Sequence, residues 1–454
     1  MARARAFHGT IVHCPTIGET KILENSLLVV STDGRISHLE HDIPRSDVEE
    51  TLSRLQLPGQ EQPRMVKYLD RADFLIPGFV DTHNHAPQWG QRGLGGGLHI
   101  LNWLDEITFP NEAKFRDAEH ARKIYSSCVD GFIRQGVTTC SYYASLHGEA
   151  TTILADVCHA KGQRALIGKC NMDRNAPDYY RDKDATESLQ VTRQVIDHVR
   201  ALDPSSDPLI KPILTPRFAI SCDDELLAGL GSLAKEHPDL PIQTHFNEAQ
   251  QEIDATLGLF PDFKNEADLY DHFGLLTDRS ILAHCTIMTD YEMDKLQQKH
   301  SGVAHCPIAN TTVGGGFMAA PIGRFLEKGI KVGLGTDSGG GFSSSILDAM
   351  RQAVIVSNAR QAINGEPALS IWQCFSLATL GGARVCSLDD KIGNFQVGKD
   401  FDALVIRSDV DGVMTMVQED DTLAMVFEKF LISGDDRNID EVYVKGRQLK
   451  GMNS

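Results

Sequence analysis

The feature that most limits the folds open to this chain is a recurrence between residues 79 and 337. Short β-branched or apolar runs that end on polar side chains alternate with longer amphipathic stretches. The runs are 79–85, 137–143, 165–170, 210–218, 241–247, 280–285, 302–306 and 331–337. Between them the spacing of apolar positions predicts helices, among them 117–135, 151–161, 186–202 and 223–236. Strands alternating with helices predict parallel pairing, and eight of them close an α/β (β/α)8 TIM-type barrel. Function in such a barrel gathers at the carboxyl ends of the strands, so the residues that finish each run matter most. No short internal repeat is present, which disfavours a solenoid.

The flanks have a different character. Residues 9–13, 26–30 and 34–39 read as short strands, the last two joined by a Thr32-Asp33-Gly34 turn with a hairpin signature. Residues 42–67 are polar, interrupted by proline, and read as an irregular connection. Past Asp337, helices are predicted over 344–359 and around 371–380, followed by strand-like runs at 393–406 and 439–449. The late strands resemble the early ones, so both chain ends are expected to build one small β-sandwich-like domain. The expected division is 1–76 and 393–454 in that domain, with 77–392 in the barrel.

Composition narrows the partners. The 454 residues carry a net charge of −18, which argues against nucleic acid or an anionic membrane, because phosphate surfaces demand a basic face. An uncharged nucleobase is not excluded. The ten cysteines include no Cys-x-x-Cys pair, so a thiolate zinc site is disfavoured and free intracellular thiols are expected. The first residues lack the apolar run of a secretory signal, and no stretch has the apolar length of a membrane helix. A cytoplasmic protein is the expectation.

The first barrel run contains Pro77-Gly78-Phe79-Val80-Asp81-Thr82-His83-Asn84-His85. Strand alternation puts His83 and His85 on one face, where two neutral imidazoles can share a metal ion. The fifth run ends in Thr244-His245-Phe246-Asn247-Glu248, the sixth in Ala283-His284-Cys285 and the eighth in Gly335-Thr336-Asp337. Taken singly, each residue has a plainer explanation: a core or capping histidine, a turn-capping aspartate, a solvated glutamate at a helix start. Together at successive strand ends, three histidines and a carboxylate suit a divalent ion with a position left open for water.

With these residues in hand, the chain resembles the amidohydrolase superfamily of metal-dependent hydrolases, and more narrowly its branch that deaminates guanine. The matching stretches include His85-Ala86-Pro87-Gln88, Trp103-Leu104 with Thr108-Phe109-Pro110, Thr215-Pro216-Arg217-Phe218, His245-Phe246-Asn247-Glu248 and His305-Cys306-Pro307. They continue in Gly333-Leu334-Gly335-Thr336-Asp337, Ala378-Thr379-Leu380-Gly381-Gly382 and Gly434-Asp435-Asp436-Arg437-Asn438-Ile439. Pro87 and Asn247 stand where serine is more usual. The resemblance implies one zinc ion per chain, with ferrous iron second to it, held by His83, His85, His245 and Asp337. It places His284 against the attacking water, either as a further ligand or as a hydrogen-bond partner. It makes Glu248 the proton shuttle and Asp337 its second proton carrier. Gln88 and Arg217 would grip the purine with Phe218 beside them, while His85, His245, Glu248 and Asp337 border the same substrate. The implied reaction is hydrolysis of guanine to xanthine and ammonia, and the implied assembly is a homodimer. Binuclear relatives carry a carboxylated lysine at the end of strand four; here Arg217-Phe218 stand there and Lys211 lies back at the start, which favours one metal.

The chemistry agrees with the residue types. The planar donor fork of Arg217 suits a carbonyl and a ring acceptor, as at guanine O6 and N7. Gln88 offers a donor and an acceptor to an amide edge. A pocket built to pair those edges rejects adenine by leaving its own polar groups unmatched. The alternatives are a related deaminase or chlorohydrolase acting on cytosine, a triazine or a purine nucleoside, and a non-catalytic interaction protein on the same fold. His305 and His147 read as structural. The runs 93–97 and 314–316 lack the Lys-Ser/Thr ending of a phosphate loop, and the first is expected to act as a lid.

Overall fold

A computed structural model describes residues 4–55, 65–314, 316, 318–410 and 417–451. The strands in chain order are β1 (Arg5–Thr16), β2 (Glu19–Val30), β3 (Ile36–Glu40), β4 (Val66–Tyr68), β5 (Phe74–Pro77), β6 (Phe79–His85), β7 (Val137–Tyr143) and β8 (Arg164–Gly168). They continue as β9 (Ile210–Pro212), β10 (Ile242–Phe246), β11 (Ser280–His284), β12 (Gly302–His305), β13 (Lys331–Leu334), β14 (Ala403–Ile406), β15 (Ile439–Val444) and β16 (Arg447–Lys450).

All eight expected barrel strands form, as β6 to β13. Strands β6–β9 pair in parallel in one run and β10–β13 in another. Backbone hydrogen bonds join the two runs at both seams. Leu214 N donates to Pro241 O at 3.0 Å and Gln243 N to Leu214 O at 2.8 Å. Across the other seam, Asp337 N donates to His83 O at 2.9 Å. The ring is closed, and β6, β7, β8, β11 and β12 are buried along their whole lengths, as strands covered on both faces must be. Val80, Leu166, Ile213, Ile281 and Ala304 fill the barrel on the amino-terminal side of the histidines. Several helices start at a side-chain cap, as where Asp117 accepts from Glu119 N and His120 N at the head of helix Ala118–Arg134.

The fourth run differs from its expected length. A strand over 210–218 is predicted, but the ladder stops at Pro212, because Pro212 and Pro216 have no N–H to donate. Only isolated pairing continues, with Arg217 N donating to Asn171 O at 3.2 Å. The irregular backbone there is what turns the Arg217 side chain into the mouth.

Both chain ends enter one sheet, in the order β16-β15-β14-β5-β1-β2-β3, with β4 on β1. The expected hairpin is present, with Val30 opposite Ile36. The sheet curls on itself, since Ile36 N donates to Lys399 O and Phe401 N to Gly34 O, both at 2.8 Å. Phe7, Phe401 and Tyr443 therefore meet in one small core, at ring separations of 4.9 to 5.5 Å. Two helices go beyond the sequence reading. Helix Val48–Arg54 interrupts the expected irregular connection and packs Val48 and Leu52 against Leu27 and Val29. Helix Leu423–Ser433 packs Phe427 against Phe74 and Phe375, so part of the C-terminal stretch lies in the large core.

Candidate active site

The strand-end residues converge. His83 and His85 finish β6, His245 lies near the end of β10, His284 ends β11, and Asp337 follows β13. His83 Nε2 is 3.3 Å and His85 Nε2 3.6 Å from Asp337 Oδ1, and His284 Nε2 is 3.6 Å from Glu248 Oε2. Three overlapping triplets, His83/His245/His284, His83/His85/Asp337 and Glu248/His284/Asp337, each place their donor atoms within 4.8 Å of one another. His83, His85, Glu248, His284 and Asp337 are buried, and His245 is half-buried. The close approach of β6 to the turn after β13 requires glycine at 335, where a Cβ would sit 2.8 Å from Cys306 Sγ and 3.0 Å from His83 Cβ.

The protonation pattern suits a cation. His245 Nδ1 donates to the Arg217 carbonyl at 2.6 Å, which leaves the Nε2 lone pair facing His85 Nε2 at 3.1 Å. His284 Nδ1 donates to Asn310 Oδ1 at 2.8 Å, which turns its Nε2 toward Glu248. The Nε2 atoms of His83 and His284 are buried and have no hydrogen-bond partner. Burial holds the pKa values of His83, His85 and His245 well below the usual histidine value, so the rings are neutral and competent as ligands. Burial raises Asp337 to about 6. Glu248 is pushed well above the usual carboxylate range, first by burial and then by the Asp337 charge. Asn247, His284, Cys285 and Asp337 have φ values of 44° to 77°, in the left-handed region, at about 1–3 kcal/mol each. Strain of this kind concentrates where side chains must be aimed.

The same cavity is lined by Gln88, Arg217, Phe218 and Glu252, with Ile100, Trp103 and Leu104 as its apolar side. Arg217 is fully buried and pairs with Glu112 at 2.7 and 3.2 Å. Burial works against its charge, but the facing Glu112 carboxylate outweighs that and keeps the guanidinium protonated. Gln88 Nε2 donates to Glu112 Oε1 at 2.8 Å, and Gln88 Oε1 is left buried and unpartnered. Tyr180 OH donates to Glu112 Oε2 at 2.7 Å. One carboxylate therefore aims both polar groups that the sequence singles out for substrate. The Phe218 ring stands edge-on to His245 at 5.9 Å.

Comparison with known proteins decides the family. The Amidohydrolase family model matches residues 74–449, a span that takes in the whole cluster.

The chain belongs to the amidohydrolase family.

This amidohydrolase is 40% identical over 450 residues to the guanine deaminase of Dictyostelium discoideum, covering 98% of each chain. It is 38% identical over 460 residues to the guanine deaminase of Homo sapiens, covering 99% of this chain and 98% of that one. Among solved structures, guanine deaminase from C. acetobutylicum with bound guanine in the active site is similar at a TM-score of 0.87 and 31% identity, covering 98% of this chain and 100% of that one.

Several groups in the amidohydrolase site escape sequence reasoning. Glu112 ends the short helical turn Phe109–Glu112, whose few residues show no periodicity, next to the quoted Thr108-Phe109-Pro110. Asp81 lies inside the first motif but receives no role there; its carboxylate accepts from Thr336 N at 3.0 Å, Thr336 Oγ1 at 2.6 Å and His83 N at 3.2 Å. Tyr143, an ordinary strand aromatic by pattern, stands 4.7 to 5.1 Å from the rings of His83, His85 and His245. Asn310 follows the quoted His305-Cys306-Pro307 by three positions. The residues read as structural stay outside the cluster: His147 precedes helix Gly148–Lys161, and Lys211 lies within β9. His305 ends β12 with its pKa lowered to about 3, first by burial and then by His284. The segment around 93–97 is tied to the stretch after helix Pro307–Thr312, with Gly97 N donating to Thr312 O at 3.2 Å and Gly314 N to Leu98 O at 2.8 Å. Gly315 of the second glycine run lies outside the described residues. No helix among the described residues is long and apolar enough to cross a membrane.

Proposed function

We propose that this amidohydrolase is a zinc-dependent guanine deaminase that hydrolyses guanine to xanthine and ammonia with one zinc ion per chain. The observation that carries this reading is a single cavity in which the strand-end histidines, Asp337 and Glu248 meet the Gln88–Glu112–Arg217 network. Full-length similarity to guanine deaminases supports the substrate.

Amidohydrolases are metal-dependent, and the donor set fits zinc: neutral imidazoles with lone pairs aimed at one point, plus a carboxylate. His83, His85, His245 and Asp337 would hold the ion. When bound, zinc supplies the Lewis acidity that makes a water molecule nucleophilic near neutral pH. Glu248, with its raised pKa, takes the proton from the attacking water and hands it to the ring nitrogen beside C2. His284, fixed by Asn310, orients the water from the side facing Glu248. Asp337 carries a second proton to the departing amine. Arg217 donates to acceptors of the purine, as at O6 and N7, and Gln88 Oε1 is free to accept from the N1–H. Adenine has no carbonyl for the guanidinium and no N1–H for Gln88, so it leaves both groups unmatched. Phe218, Ile100, Trp103 and Leu104 keep water from the ring.

A homodimer is supported by apolar side chains exposed on two helices that pack together: Ile355 and Ile363 on Ile346–Asn364, and Met425 and Ile432 on Leu423–Ser433. The function is tested by ammonia release from guanine, adenine, cytosine and a triazine, with metal analysis of the same sample. Turnover confined to guanine at one zinc per chain is the expected result. Turnover only on another ring would replace guanine as the substrate.

A further inference from the structure

Behind the cavity lies a buried group of carboxyls that the reaction above does not use. The chain leaves β10 through Asn247, in the left-handed region at φ 47°, and Glu248 follows directly. Two consecutive backbone amides of this turn are each taken by a carboxyl oxygen. Asn247 N donates to Glu266 Oε2 at 2.9 Å and Glu248 N to Glu252 Oε2 at 3.2 Å. Glu252 comes from helix Gln250–Leu259 and Glu266 from helix Glu266–His272, so two helices grip one turn. A third grip comes from Asn247 Nδ2, which donates to Glu292 Oε1 at 2.8 Å. The backbone carbonyls of Asn247 and Glu248 are held in turn by Thr286.

Glu252 and Glu266 also bond each other, and both are fully buried. Two carboxylates in that position cannot both be ionised. One proton held between the two carboxyls removes that conflict. Burial raises the pKa of both carboxyls, as a pair sharing one proton requires. Thr256 and the Asn247 amide also bond the Glu266 carboxylate. The remaining oxygen of Glu252 faces Thr256 Oγ1 at 3.2 Å.

We propose that Glu252 and Glu266 form a buried carboxyl pair that holds one proton between them, clamps the backbone of residues 247–248 and so aims Glu248 at the substrate. Glu252 is a positioning residue here and not a proton carrier, although it lines the same cavity as Glu248. The inference rests on Glu248 being the proton shuttle of guanine hydrolysis.

Glutamine separates the two roles, because its amide donates to Glu266 and accepts from Glu248 N as the proton-sharing acid does, yet carries no transferable proton. Zinc-loaded parent, Glu252→Gln and Glu252→Ala are compared on guanine. Glu252→Gln is expected to keep a kcat close to the parent's. Glu252→Ala is expected to lose about 10- to 100-fold in kcat through misplacement of Glu248, with KM and zinc content little changed. A Glu252→Gln variant as slow as Glu252→Ala would overturn the clamp. The protonation state is read without substrate, from the infrared difference between parent and Glu252→Gln at mildly alkaline pH. A carboxylic-acid carbonyl band is expected in the parent, and its absence overturns the proposal even where the alanine variant does not fold. A parent that shows the band but does not turn over guanine would instead sink the functional reading.

Discussion

Glu112 Oε2 lies 2.7 Å from Arg217 Nη1, with both side chains buried and 105 positions apart in the chain. Ionic pairing of this kind fixes the guanidinium plane before any ligand arrives, and the same carboxylate orients the Gln88 amide. Glu112→Gln should raise the KM for guanine about tenfold through loss of the fork pairing, with a smaller effect on kcat. Glu112→Ala leaves a buried guanidinium uncompensated and should cost about 3–5 kcal/mol of stability. Steady-state kinetics and denaturant unfolding check the two outcomes separately.

Asn310 sets the tautomer of His284 through the 2.8 Å bond to Nδ1. Asn310→Ala frees the ring to rotate and to carry its proton on the wrong nitrogen. We expect kcat/KM to fall about 10- to 100-fold, as for other partners that orient a reactive histidine. An unchanged kcat/KM would remove Asn310 from the site's organisation.

Asp81 ties β6 to the turn that presents Asp337, through bonds to Thr336 and His83. Asp81→Ala should weaken zinc affinity about 10- to 100-fold by loosening the spacing between His83 and Asp337. Chelator competition measures this, and restoring activity with excess zinc would show that the loss is one of affinity.

The barrel and the metal-competent cluster were legible because strand ends obey a rule: residues finishing successive parallel strands share one mouth. His245, His284 and Asp337 could be picked out on that ground before any contact was known. Glu112 could not, since it ends a short helical turn and its partners Arg217 and Tyr180 are set by tertiary packing alone. Helix Leu423–Ser433 was missed because Leu-Ala-Met-Val-Phe-Glu-Lys-Phe-Leu-Ile-Ser is apolar nearly all round and shows no one-sided stripe. The fourth strand was read as too long because prolines that forbid a ladder still permit an extended backbone.

Asp207 joins the barrel's 203–209 loop to the small sheet through Lys391, Lys445 and Arg35. Partial burial raises its pKa, but hydrogen bonds from Lys391 and Lys445 win and hold it below the usual carboxylate range. A depressed folded-state pKa means stabilisation that is present at neutral pH and lost as pH falls through about 3.9 and below. Asp207→Asn should therefore lower stability by about 0.5–1 kcal/mol at neutral pH, a modest sum because the site is partly solvated. Thermal melts should show the gap between parent and variant closing as the solution is acidified.

The most direct measurement is xanthine formation from guanine by the zinc-loaded parent and by Glu248→Gln, with zinc counted in both. The parent should release one ammonia per xanthine. The variant should keep its zinc and lose about 100- to 10,000-fold in kcat, the range expected when a general acid–base group is removed. A zinc-replete parent that makes no xanthine, or a Glu248→Gln variant at parental speed, would contradict the role given to this cavity.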